Sequence, residues 1–326
     1  QRSRYLNRRA HSRAGLISPT PTGVDPMRLF ATTALILLAA VPAFAQDWKA
    51  DYKTVKFGIL SGENEQDRIA RWKGFEAHME TTLGVDVEIF TAGNYDGVIQ
   101  ALAADQIEFA YLGSSAYAAA YTASEGGVQP ILATESLTGA TGYYSIVTVR
   151  CDSGYKKIDD LKGKVLAFAD PDSTSGYAVP LYNLVQQGYD PETFFSGIPF
   201  SGSHEAGVQG VVNKQFDAAA TYRDNETSGV YQLMVTKGMI KDGEVCVIWQ
   251  SPEITNGPIT TRNNLPQPMI DEVKAALMAM PTAAPEVYKE ITGGETSTDK
   301  GYIEVNHERY QWIIDMRAWI KANRKS

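Results

Sequence analysis

Between residues 55 and 121 the apolar positions switch regularly between two periods. Val55 to Leu60, Val85 to Phe90 and Ile107 to Leu112 are short β-rich runs. Each is followed by apolar residues near helical spacing: Ile69, Trp72, Phe75, Ala77 and Met79 after the first, Tyr95 to Ala104 after the second, and Ser114 to Tyr121 after the third. Strands alternating with helices at this interval predict βαβ units, with a parallel sheet covered on both faces.

The pattern then breaks and restarts. Tyr143 to Val149 is a longer strand with no helix directly behind it, running into the turn Asp152-Ser-Gly154. Lys164 to Ala169 predicts a strand, Thr174 to Gln187 and Glu205 to Asn213 helices, Phe216 to Ala220 and Val245 to Gln250 strands, with Ile259-Thr-Thr261 beyond. The tail is helical over Pro268 to Met280 and His307 to Ala322. Strands 143–149 and 245–250 read as two crossings between lobes, lobe one being residues 46–148 plus 252–326 and lobe two residues 149–251. Each lobe is expected to be a mostly parallel sheet flanked by helices, an α/β class in which the two crossover strands form a hinge. Hinged binding proteins have this organisation. A continuous two-domain α/β enzyme fits the same periodicity.

The first 45 residues fall outside this pattern. Five Arg lie in residues 1–26, then Met27-Arg28 precedes an apolar run from Leu29 to Val41 and the small-residue stretch Ala43-Phe44-Ala45, the order of a secretory signal peptide. The run of 13 residues is shorter than the roughly 20 that a membrane span needs. The expectation is a start at Met27 and cleavage near Ala45, with residues 1–26 an upstream extension. Of the chain's net −8, residues 1–45 carry +5 from six Arg and one Asp, which leaves −13 on the remaining 281 residues. With 44% hydrophobic and 21% charged residues in 326, the chain is globular and long enough for two domains, and its acidity makes it a poor partner for nucleic acid.

Only two cysteines occur, Cys151 and Cys246, too few for a disulfide scaffold or a Cys-ligated zinc site. They lie where the two expected crossings enter and leave lobe two. A disulfide there would staple the hinge if those strands run side by side; two separate buried thiols are the alternative.

The segment Phe168-Ala-Asp-Pro-Asp-Ser-Thr-Ser-Gly-Tyr177 carries the most chemistry. A strand delivers the chain to Asp170-Pro171, and a helix starts within Ser173-Thr174-Ser175. The first turn of a helix leaves about four N–H groups without partners and bears roughly half a positive charge, so hydroxyls gathered there make an anion site. Ordinary N-capping needs only one of the three. His204 stands at another expected helix start, and no His cluster of metal-binding spacing exists. Tyr95 and Tyr143 could each point a phenol into a cleft between lobes, and Asp224 follows the 216–220 strand at a third expected strand-to-helix junction. No G-x-S-x-G, G-x-x-x-x-G-K-[ST], H-E-x-x-H or G-x-G-x-x-G after a strand is present, so an anion site without a nucleophile or metal cluster favours binding over turnover.

These residues carry a family resemblance. Phe57-Gly-Ile-Leu60, Tyr95-Asp-Gly-Val-Ile-Gln100, Gly142-Tyr-Tyr-Ser145, Asp170-Pro-Asp-Ser-Thr-Ser-Gly176, His204-Glu205 and Val247-Ile-Trp-Gln-Ser-Pro252 are similar to segments of the periplasmic substrate-binding proteins of phosphonate ABC transporters, over essentially the whole chain beyond residue 46. The resemblance implies a type II-like two-lobed periplasmic-binding-protein fold that closes over a phosphonate, 2-aminoethylphosphonate or an alkylphosphonate, and delivers it to a membrane permease, with no cofactor, no catalysis and no need for an oligomer. It implies that Ser173, Thr174, Ser175, His204, Tyr95 and Tyr143 hold the phosphonate oxygens, and that Asp224 is one of two carboxylates that meet a ligand amine in an aminoethylphosphonate-type member. The second carboxylate falls in the turn before Pro258, and here that position is Gly257 after Asn256. The alternatives are a receptor of the same fold for phosphate, phosphite or another small oxyanion, and a secreted phosphoester-processing enzyme.

Overall fold

The computed structural model describes residues 47–323, so the expected leader and its cleavage site lie outside the described residues. The chain first builds β1 (Thr54–Ile59), α1 (Glu65–Leu83), β2 (Asp86–Thr91), α2 (Tyr95–Ala103), β3 (Phe109–Tyr111), α3 (Ser114–Ala123) and β4 (Val128–Ser136). A second group follows: β5 (Gly142–Arg150), β6 (Leu166–Ala167), α4 (Val179–Gln186), α5 (Pro191–Phe194), α6 (His204–Val212), β7 (Ala218–Asn225), β8 (Ser228–Gly229), α7 (Val230–Thr236), β9 (Val245–Gln250) and β10 (Ile254–Thr255). The chain ends with β11 (Ile259–Arg262), α8 (Gln267–Ala283), α9 (Pro285–Ile291), β12 (Asp299–Glu304) and α10 (Gln311–Asn323).

Two sheets result. The first has the order β12-β4-β11-β3-β1-β2, and the second the order β10-β5-β7-β6, with β9 also on β5 and β8 on β7. Both are mixed rather than mostly parallel. The parallel pairs are β1–β2, β1–β3 and β6–β7, the products of crossover connections. The other pairs are antiparallel, because the chain runs outward through β4 and β5 and returns beside them through β9, β10 and β11. Strands 143–149 and 245–250 therefore do not themselves cross. They pair with each other inside the second sheet, and the chain changes sheet at residues 137–141 and 256–258.

Local sequence explains where the main elements start and stop. The side chain of Asn64 caps α1 by accepting the Asp67 N–H, and Gly84 ends it in the left-handed conformation at φ 69°. Its buried stripe is Arg68, Trp72, Phe75, Met79 and Leu83. Ile69, expected on that stripe, is 53% exposed, since the stripe passes through Arg68 one position earlier. Phe57 joins Phe75 edge-on at 5.0 Å and stacks on Phe109 at 5.2 Å, which fastens α1 to the first sheet.

Cys151 and Cys246 form a disulfide. Val149 pairs with Cys246 across β5 and β9, at the end of β5 remote from both sheet changes. The bridge thus staples the end of the second sheet remote from the segments where the chain changes sheet.

Candidate anion-binding cleft

After β6 the chain turns at Asp170, whose Oδ1 accepts the Asp172 N–H at 2.8 Å. Ser173 then caps the next element: its Oγ accepts the Gly176 N–H at 2.9 Å. That element opens as a wide π-type turn, Thr174–Ala178, and continues as α4. Gly176 is required by space, because a Cβ there would lie 2.5 Å from that of Ala169 and 2.8 Å from Ser173 Oγ. Thr174 Oγ1 accepts the Ser115 N–H at 2.8 Å, from the start of α3 on the other sheet's side. The Ser175 carbonyl accepts the Ser145 hydroxyl at 2.7 Å, which leaves the Ser175 side chain to face the cavity. Two of the three hydroxyls thus accept N–H groups at helix starts, Ser173 in its own element and Thr174 in α3.

His204 opens α6 and is 5% exposed. Its Nδ1 is 3.1 Å from Thr221 Oγ1 and its Nε2 3.4 Å from Ser173 Oγ. Burial pulls its pKa down to about 4, so at neutral pH the ring is uncharged. Tyr95 opens α2, and its N–H reaches Asp170 Oδ2 at 3.3 Å. Burial raises the Tyr95 phenol pKa and pushes that of Tyr143 up to about 12, with the Ser175 and Thr174 hydroxyls opposing the shift at Tyr143. Both phenols are therefore neutral donors.

Tyr95, Tyr143, Ser173, Thr174, Ser175, His204 and Asp224 line one cavity of about 300 Å³. Asp224 reaches it from the end of β7, a strand longer than expected, and not from a strand-to-helix junction: α7 begins only after β8. Burial raises the Asp224 pKa. The Ser228 hydroxyl lies 2.8 Å from both Asp224 Oδ2 and the Thr296 carbonyl oxygen. Asp299 is pushed up to about 7, first by burial and then by the charge of Asp224.

The sequence reading missed Glu63, Arg71, Thr134, Tyr222 and Asn256, which also line the cavity. They come from five separate segments and carry no local motif. The Tyr222 ring packs edge-on against His204 at 5.1 Å and holds it upright. Arg71, the one guanidinium in the lining, donates to Glu63 through a terminal nitrogen, while its buried Nε has no protein partner among the described residues. A second hollow of about 380 Å³ between α4 and α10 is lined by apolar groups such as Leu181, Val185, Trp319 and Ile320, with Tyr189, Asp190 and Asn323 also in its lining. Among the described residues no group of three or more His, Cys, Asp or Glu is placed to hold a metal ion, and no helix is long and apolar enough to cross a membrane.

The family profile described as "ABC transporter, phosphonate, periplasmic substrate-binding protein" matches residues 57–310. The chain belongs to this family. It is 33% identical over 249 residues to the phosphonates-binding periplasmic protein of Escherichia coli, a match covering 74% of this chain and 70% of that one. It is 26% identical over 276 residues to a phosphate-import protein of Mycolicibacterium smegmatis, covering 82% and 80%. Among solved structures, a binding protein component of an ABC phosphonate transporter from Pseudomonas aeruginosa superposes with a TM-score of 0.72 at 25% identity, over 82% of this chain and 86% of that one. The chain is thus a solute-binding component of an ABC transporter, and members of its family work in the periplasm.

Proposed function

We propose that the cleft captures a phosphonate by its oxygens and that the closed protein delivers it to a membrane permease without catalysing a reaction. The observation that carries this reading is the convergence of three hydroxyls, a neutral imidazole and two phenols, from four segments, on one cavity. With the Thr221 hydroxyl donating to Nδ1, His204 keeps an Nε2–H for the ligand. Hydrogen bonds to a charged group contribute about 1.5–3 kcal/mol each, so six donors supply a gross total of order 10 kcal/mol. Ordering and closure costs reduce that sum, and the remainder is compatible with roughly micromolar or tighter binding. Because the donors are uncharged, the carboxylates of an acidic chain do not pair with them and take them out of use.

The rest of the reading concerns how the protein is delivered and moves. Residues 27–45 act as a signal peptide cleaved near Ala45, and the mature protein works as a monomer in the periplasm. Segments 137–141 and 256–258 act as the hinge between lobes built on the two sheets. A bare oxyanion is the second reading, favoured by the likeness to a phosphate-import protein. The cavity continues past the hydroxyls to Asp224, Thr134 and Asn256, which favours a phosphonate with a short substituent over phosphate or phosphite.

Thermal shift and calorimetry with methylphosphonate, 2-aminoethylphosphonate, phosphite and phosphate test this. A ligand present at a thousand times its dissociation constant adds about 4.1 kcal/mol. Tighter binding of either phosphonate than of the two inorganic anions supports the reading, tighter binding of phosphate or phosphite replaces it with the second, and no shift with any of the four overturns both.

A further inference from the structure

Lys237 follows the last turn of α7 and does not line the cavity, yet it touches both sides of the cleft. Its ammonium is 3.0 Å from Glu205 Oε1 on its own side. It is also 3.1 Å from Glu63 Oε2 and 2.9 Å from Asp67 Oδ2, on the loop after β1 and in the first turn of α1. The other oxygen of Glu205 accepts the Asn64 N–H at 3.0 Å, again from across the cleft. Glu205 and Glu63 are 4% and 8% exposed, whereas the Asp67 side chain is 44% exposed, so the Lys237–Asp67 contact is the part of the junction that salt screens.

The junction is continuous with the binding site at both ends. Glu205 directly follows His204 in the first turn of α6, and Glu63 lines the cavity with Arg71. The Lys237 hydrogen bond lowers the pKa of Asp67, with Asn64 adding to the effect, so Asp67 is ionised throughout the neutral range. Separation of the two sides would leave no buried carboxylate bare: Glu205 keeps Lys237, Glu63 keeps Arg71, and Asp67, which loses its cation, is half-exposed and keeps the Asn64 side-chain amide. At this junction the bonds across the cleft, from Lys237 to Glu63 and Asp67 and from Asn64 to Glu205, are exchanged for water. Such a junction biases closure without locking it, because no buried charge is stranded on opening.

We propose that Lys237 is a positioning residue for closure, which fastens the 63–67 loop to the His204-Glu205 turn when the two sides meet and so slows ligand release without touching the ligand. Because its bonds across the cleft exist only in the closed form, its effect falls on the dissociation rate. Salt also acts on the charged ligand and on Asp224, Glu63 and Arg71 in the lining, so the part of the salt sensitivity that Lys237→Met removes is what reports this junction.

The test is stopped-flow release of methylphosphonate and, in a second arm, inorganic phosphate, from the wild type, Lys237→Met and Lys237→Arg at low and high salt. The expected result is release about tenfold faster in Lys237→Met, with association changed less than about twofold. Salt should accelerate release more in the wild type than in Lys237→Met, and Lys237→Arg should restore slow release. Asp67→Asn is a second variant at the surface, and its effect on release should be non-additive with Lys237→Met. Release from Lys237→Met within about twofold of the wild type, or additive effects of the two substitutions, overturns the proposal. If neither probe binds the wild type, the phosphonate reading fails by itself. Small-angle scattering of the ligand-free protein then decides: low salt should contract the wild type and not Lys237→Met, and equal behaviour of the two overturns the junction.

Discussion

Gly257 lies so close to Leu112 that a Cβ at position 257 would sit 2.1 Å from the Leu112 carbonyl oxygen. The segment 256–258 changes sheet at this point and is pressed against the end of β3, with the Leu112 N–H bonded to the Pro258 carbonyl at 3.0 Å. No side chain fits there without moving backbone. This is the position at which an amine-binding relative is expected to carry a carboxylate, so its absence here follows from packing. Gly257→Asp is predicted to destabilise the protein by about 1–3 kcal/mol through overpacking, and not to improve binding of 2-aminoethylphosphonate. Urea unfolding and calorimetry on the variant check both halves.

Ser173 and Thr174 differ in what else they hold. Ser173 caps its helix through the Gly176 N–H, while Thr174 accepts the Ser115 N–H from across the cleft. Ser173→Ala is predicted to weaken phosphonate binding at least tenfold, the loss of about one charged hydrogen bond, and to cost about 1 kcal/mol of stability from the lost cap. Thr174→Ala should match it in affinity and cost about 1–3 kcal/mol of stability, because it leaves the buried Ser115 N–H without its acceptor. Unchanged affinity in calorimetry for either variant would remove that hydroxyl from the site.

His204 makes stability depend on pH with a definite sign. Burial places its folded pKa near 4, below the ordinary value of 6.5, so the unfolded chain binds the extra proton first as pH falls. Stability contributed by the neutral ring is complete above about pH 6.5 and is lost as pH drops through that window towards 4. The loss is on the order of 3 kcal/mol. His204→Gln, which cannot take up the proton, should lack this component. Urea midpoints of both proteins at pH 7 and pH 4 measure the difference, and parallel pH curves would refute the assignment.

The Cys151–Cys246 bridge closes a loop 95 residues long at the far end of the second sheet. Cys151→Ser/Cys246→Ser is predicted to lose roughly 2–5 kcal/mol, through release of the unfolded chain. Ligand affinity should stay within about twofold, since the bridge is remote from the cavity and from both sheet changes. Denaturation with and without reductant, with calorimetry on the reduced protein, reads both outcomes.

Elements with strong local periodicity were legible without coordinates. The β1, α1, β2, α2 and α3 assignments follow from residues whose apolar spacing matches the element they form. β4 and β12 were not: Val128 to Ser136 contains Pro130 and turns polar towards its end, and Asp299 to Glu304 is an edge strand held only by β4. Their place comes from pairing with distant strands, and so does the mixed direction of both sheets. The shift of Asp224 onto the end of β7 has the same origin, since strand length there is set by pairing with β5 and β8.

By itself the sequence determined the elements of the candidate anion site: a turn at Asp170 behind a strand, three consecutive hydroxyls at a helix start, and a histidine at another, because capping and helix-end polarity are local properties. Tertiary structure decided which distant groups complete the cavity and the junction beside it. Tyr222 bracing His204, the Glu63–Arg71 pair in the lining and Lys237 spanning the cleft to Glu63 and Asp67 join residues up to 174 positions apart. Tertiary structure also decided that position 257 must be glycine, since the crowding by Leu112 arises only when two remote backbone segments are packed together.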